Sequence, residues 1–91
     1  MTEVEIDAFP PQAIAAEMGL AYSTFRAITQ RIRAANIPGF DYEPYNPVPI
    51  SSVEIFRLVH REKQKKFTWQ KAIDRTKTQI FTQLLEELND A

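Results

Sequence analysis

Apolar residues recur at spacings of three and four through the first third of the chain. Between Pro11 and Gly19, Ile14 and Met18 lie one turn apart on one face, the period of an amphipathic helix. Gly19 is the residue able to take a positive φ where that helix stops, and Leu20 returns toward the core. A second helix is predicted from near Tyr22 to about Asn36, with Phe25, Ile28 and Ile32 turned inward. Its opposite side holds Ser23, Arg26, Ala27 and Gln30, with Arg31 and Arg33 on the flanks. Two helices with a sharp turn between them, the second offering small, polar and basic groups, match what enters a DNA major groove. There Arg and Gln read base edges while hydroxyls hold phosphates. A two-helix corner with a solvated outer face fits the same pattern.

The rest of the chain alternates between stops and helical runs. Residues 1–10 read as a loose or partly extended leader ended by Phe9-Pro10-Pro11. Pro10 or Pro11 suits the first turn of a helix, with Phe9 packed beneath it. Ile37-Pro38-Gly39 closes the second helix, since Pro38 disfavours helix at Ile37 and Gly39 permits a turn. In Gly39–Ile50, Phe40, Tyr42 and Tyr45 favour extended structure, whereas Pro44, Pro47 and Pro49 forbid a central strand. A short hairpin or extended loop is expected there, with Tyr42 and Tyr45 packing it onto the body or meeting another protein and the prolines fixing its shape. Ser51 and Glu54 have the spacing of a capping box, opening a helix with Ile55, Leu58 and Val59 inward and Arg57, Arg61 and Lys65 outward. Thr68 is the expected N-cap of a last helix carrying Ala72, Ile73, Ile80, Phe81, Leu84, Leu85 and Leu88. Trp69 reads as a core or helix-corner anchor.

Composition narrows the class. Ninety-one residues make one small domain with a modest core. There is no Cys, so disulfides and cysteine zinc sites are excluded. The start, MTEVEIDAFPP, lacks the basic region and apolar run of a signal peptide, no apolar run reaches membrane-spanning length, and a cytoplasmic location is expected. The net charge of −1 conceals an uneven distribution. All eleven cations lie between Arg26 and Lys77, against five acids, Asp41, Glu43, Glu54, Glu62 and Asp74, a net of +6 for that segment. The two ends carry only acids. A basic middle of this kind can hold a polyanion despite an acidic pI.

Catalytic chemistry finds little support. His60 is the only histidine and has no ligand cluster around it in sequence, so no metal is expected. Gly19 and Gly39 are too isolated to cradle a phosphate. Ser51 and Ser52 lack a nucleophile-elbow context, and Asp41 with Glu43 reads as a solvated loop pair. The chain is expected to be neither an enzyme nor a cofactor carrier.

Four strings, in order, resemble the MerR-type winged helix-turn-helix domain, the DNA-binding part of the mercury-resistance regulator family. Ile14-Ala15-Ala16-Glu17-Met18-Gly19-Leu20 is similar to that family's opening helix and turn, and Thr24-Phe25-Arg26 to its Thr-Leu-Arg in the recognition helix. Ile50-Ser51-Ser52-Val53-Glu54-Ile55 is similar to its Tyr-Ser-x-x-Asp-Leu, and Lys66-Phe67-Thr68-Trp69-Gln70-Lys71-Ala72-Ile73 to its Gly-Phe-Ser-Leu-x-x-Ile. The resemblance spans roughly residues 12 to 75. It departs in the wing, where the family carries arginines and a glycine turn and this chain has Asp41-Tyr42-Glu43-Pro44-Tyr45-Asn46-Pro47-Val48-Pro49.

The resemblance implies a mainly α fold, a winged helix-turn-helix with a short irregular wing and a long C-terminal helix. Residues 1–10 would form the leader, 11–75 the domain and 76–91 an extension of the last helix able to dimerise. It implies double-stranded DNA as partner, a homodimer through the C-terminal helix, and a role among regulators, excisionase-like or segregation-type factors of bacteria or phage; with no sensor domain read after the helices, no small-molecule effector is expected. Thr24 and Arg26 are carried over as DNA contacts, with Arg57 and Arg61 on the third helix. The helical pattern adds Ser23, Gln30, Arg31 and Arg33. The rival class is a protein-interaction module on the same fold, acting through the last helix and acidic tail.

Overall fold

Helices dominate the computed structural model, which describes residues 8–43 and 46–89. In chain order they are a strand β1 (Ala8–Phe9), α1 (Pro11–Glu17), α2 (Tyr22–Ala35), a strand β2 (Val48–Pro49), α3 (Ile50–Gln64) and α4 (Trp69–Asn89). None of the helices among the described residues is long and apolar enough to cross a membrane.

α1 begins as its prolines dictate, with Pro10 at the N-cap and Pro11 in the first turn. It ends in a paired-bond turn: Leu20 N–H donates to Ala15 O at 2.9 Å and Gly19 N–H to Ala16 O at 3.0 Å. This is the Schellman arrangement, which needs a left-handed residue after the cap, and Gly19 takes φ +71° there. Leu20 packs on the core from the turn. α2 buries Phe25, Ile28 and Ile32 as the spacing predicts, and also Thr29. The Thr29 hydroxyl satisfies itself on Phe25 O at 2.8 Å. Asn36 stops the helix in the left-handed region at φ 57°, a conformation its short polar side chain tolerates.

Residues 39–49 carry no hairpin among the described residues. Val48 and Pro49 pair with the leader instead, Phe9 opposite Val48 and Ala8 opposite Pro49, antiparallel. The pairing stays two residues long because Pro10, Pro47 and Pro49 lack the N–H a longer ladder requires. Phe9 is half-buried against the core, while residues 1–7 and the Pro44-Tyr45 part of the expected wing lie outside the described residues.

The capping box is not formed. α3 starts two residues earlier, at Ile50, with Pro49 at the N-cap and no side-chain cap. Ser51 is exposed and Ser52 is buried, and the Ser52 hydroxyl accepts the Asp41 N–H at 2.9 Å. Its bond therefore ties the irregular segment to the helix. On α3, Val53, Ile55, Phe56 and Val59 are buried and Leu58 half-buried. Phe56 is the aromatic hub: ring centroids of Phe25, Phe40 and Tyr42 lie 4.8, 5.4 and 6.1 Å from it. α4 begins as the Thr68 cap predicts, its hydroxyl accepting Lys71 N–H at 3.1 Å. It buries Ala72, Ile73 and Thr76 in its first half, and Trp69 packs half-buried on the core.

Candidate nucleic-acid interface

With Phe25, Ile28, Thr29 and Ile32 committed inward, the free surface of α2 divides into three strips. Ser23, Ala27, Gln30 and Ala34 follow one another at spacings of four, three and four on the side away from the core, and all four are exposed. This apex carries only small or polar side chains, Gln30 the longest.

One flank faces the 39–49 segment. Tyr22, Arg26, Thr29 and Gln30 line a cleft with Tyr42. Arg26 is half-buried, and its charge opposes the upward shift that burial gives the Tyr42 phenol. Further along, Arg33 and Asn36 share a groove of about 390 Å³ with Phe40, Asp41, Tyr42 and Glu43. One cation there meets two acids. Tyr42 is 4% exposed and packs its segment onto Phe56 as expected of the tyrosines; Tyr45 lies outside the described residues.

The other flank faces α4. Arg31, Ala34, Ala35 and Asn36 form a groove of about 290 Å³ with Gln70, Asp74 and Lys77. Two cations there meet one acid, and the Asp74 carboxylate accepts a hydrogen bond from Gln70 at 3.0 Å. Thr24 is exposed near the start of the helix.

The α3 residues are placed differently. Arg57 forks onto Glu17 of α1, Nε to Oε2 at 2.9 Å and Nη2 to Oε1 at 3.0 Å. That bond holds the Glu17 carboxyl below its ordinary range and raises the Arg57 guanidinium. Both side chains remain about half exposed, so Arg57 joins α1 to α3 at the surface. Arg61 is exposed and His60 half-buried beside it. Among the described residues no group of three or more His, Cys, Asp or Glu gathers to hold a metal.

Of the sequence-predicted residues, α2 therefore brings together Ser23, Thr24, Arg26, Gln30, Arg31 and Arg33, while Arg57 and Arg61 sit on another element. Lys77 and Gln70 were not anticipated beside Arg31. Their spacing with Asp74, four and three, places all three on one strip of α4, but only tertiary packing puts that strip against α2. The chain matches no family model, no curated protein and no solved structure.

Proposed function

We propose that the protein is a sequence-dependent double-stranded DNA-binding protein, a MerR-type winged helix-turn-helix in which α1 and α2 form the motif and α2 is the reader. The observation that carries this reading is the exposed apex of α2, Ser23, Ala27, Gln30 and Ala34, between charged flanks on a helix whose other side is buried. A major groove admits a helix of that profile. Arg26 and Gln30 read bases, Ser23 and Thr24 hold backbone or base edges, and the flanking Arg31 and Arg33 are the candidates for phosphate contact. Arg61 adds charge from α3, whereas Arg57 on the same helix can do so only by leaving its Glu17 partner. The 39–49 segment stands where a wing would, and its Asp41 and Glu43 make it a poor phosphate ligand. We assign no catalytic role, cofactor or small-molecule effector, and a cytoplasmic regulator, excisionase-like or segregation-type factor is the setting that fits.

A second reading has one observation of its own. Phe81, Leu84, Leu85 and Leu88 of α4 are 41% to 71% exposed, which suits a module that grips another protein. Within the DNA reading the same stripe joins two copies.

The test compares wild type, Arg26→Ala and Gln30→Ala on a selected duplex and on random duplex at two salt concentrations. A base-reading Arg26 loses discrimination by about 1–3 kcal/mol, whereas a phosphate ligand loses affinity uniformly and flattens the salt slope. If both variants fold and neither changes binding, α2 is not the reader and the protein-interaction reading takes its place.

A further inference from the structure

The two flanks of α2 are electrostatically unequal, and the inequality assigns the DNA backbone to one of them. Toward the 39–49 segment, Arg33 shares its groove with Asp41 and Glu43 and Arg26 lies in the neighbouring cleft beside Tyr42, so two cations meet two acids along that flank. Toward α4, Arg31 shares its groove with Lys77, and Asp74 is the single acid. Between flanks on one helix, a phosphate is favoured where cations outnumber acids.

We propose that Lys77 and Gln70 of α4, together with Arg31, form a phosphate-binding line along the groove between α2 and α4. On this geometry the duplex backbone is gripped from the α4 side and not from the wing side. The proposal rests on the reading of α2 as the DNA reader. Lys77 supplies a flexible point charge and Arg31 a planar donor fork, and Gln70 and Asn36 add amide N–H donors. Ala34 and Ala35 line the groove with methyl groups only, so no long side chain holds a phosphodiester away from the cations. Gln70, Asp74 and Lys77 lie on one strip of α4, and the α4 backbone is anchored to the core by Ala72, Ile73 and Thr76. The strip is thereby fixed at the height of the C-terminal half of α2. Lys77 also lies with its ammonium 6.0 Å from the Phe81 ring centroid, within reach of both ring and groove.

The experiment measures binding of the full chain to a random-sequence duplex across a salt series, for wild type and four variants. Lys77→Gln and Arg31→Gln are each expected to weaken binding roughly three- to tenfold at low salt and to lower the salt slope by about one. Asp74→Asn keeps an acceptor for Gln70 and removes the opposing charge, so it is expected to tighten binding about two- to fivefold. Arg33→Gln, already opposed by two acids, is expected to lose less than either of the first two. Wild type that binds with a steep salt slope while Lys77→Gln matches it in affinity and slope overturns this inference and leaves the DNA reading standing. A loss in Lys77→Gln without any gain in Asp74→Asn also overturns it, because a structural role for Lys77 then accounts for the loss. Wild type that shows no salt-dependent binding removes both.

Discussion

Glu62 is a carboxylate on α3 that is 3% exposed and fully engaged. Arg75 Nε donates to one oxygen at 2.7 Å, and Lys65 Nζ and Gln79 Nε2 donate to the other at 2.8 and 3.2 Å. The Arg75 bond, then the Lys65 bond, lowers its pKa from 4.5 to about 2. A depressed carboxyl contributes stability above its unfolded pKa and loses it as pH falls toward the folded one. Wild-type melting temperature is therefore expected to drop between about pH 5 and pH 2, and Glu62→Gln to be less stable at neutral pH with a flatter acid limb. Parallel acid limbs for the two proteins would remove Glu62 from the account. Ser52 makes the second point at this scale: Ser52→Ala leaves the Asp41 N–H without its acceptor, at a cost of about 1–3 kcal/mol in denaturant unfolding. Neither role was legible in the chain. Glu62 reads as one more surface charge until Arg75 and Gln79 arrive from α4. The Ser51-to-Glu54 spacing signals a cap that Pro49 makes unnecessary by starting the helix earlier.

Among the elements, α1, its turn and α2 were readable because everything they need is local. The apolar period of α2 names its buried face, Pro10 and Pro11 place the first turn, and Gly19 marks the stop. Nothing lies within 4 Å of a Cβ built on Gly19, so Gly19→Ala meets only the backbone penalty of its positive φ. The expected cost is about 1–2 kcal/mol, and a much larger loss would show that the turn is packed more tightly than its geometry indicates. Residues 39–49 were readable only in outline. Proline and aromatic content excluded a central strand, but the partner of Val48 is Phe9, some forty positions back, and no local pattern encodes that. Tyr42 fixes the segment through Phe56, and the segment's own charges, Asp41 and Glu43, carry the wrong sign for phosphate. Asp41→Ala with Glu43→Ala is accordingly expected to leave DNA affinity within about twofold, since the Asp41 N–H to Ser52 survives the change. A large gain in affinity would instead place these two acids against the phosphates, with the segment in the position of a DNA-facing wing.

For the molecule as a whole, α4 has two halves with different tasks. Its first half closes the core over α3, with Ala72, Ile73 and Thr76 buried. Beyond Ile80, which is half-buried, every residue to Asn89 is exposed, yet the helix continues and carries Phe81, Leu84, Leu85 and Leu88. Phe81, Leu84 and Leu88 are spaced three and four apart, the seam of a two-helix coil. Among the described residues that seam stays 41% to 71% exposed, and an isolated helical end of this length is marginal in water without tertiary contact. A second copy supplies the same seam by two-fold symmetry, the closure that also gives a DNA reader two half-sites. Wild type is therefore expected to sediment as a dimer at micromolar concentration, and Leu84→Asp as a monomer that keeps the helix content of the core. Duplex affinity should fall in the same variant by about 10²-fold or more on a two-half-site target, with little change on a single half-site. A wild-type monomer, or Leu84→Asp with unchanged mass, would leave the stripe to a different protein partner and favour the interaction reading.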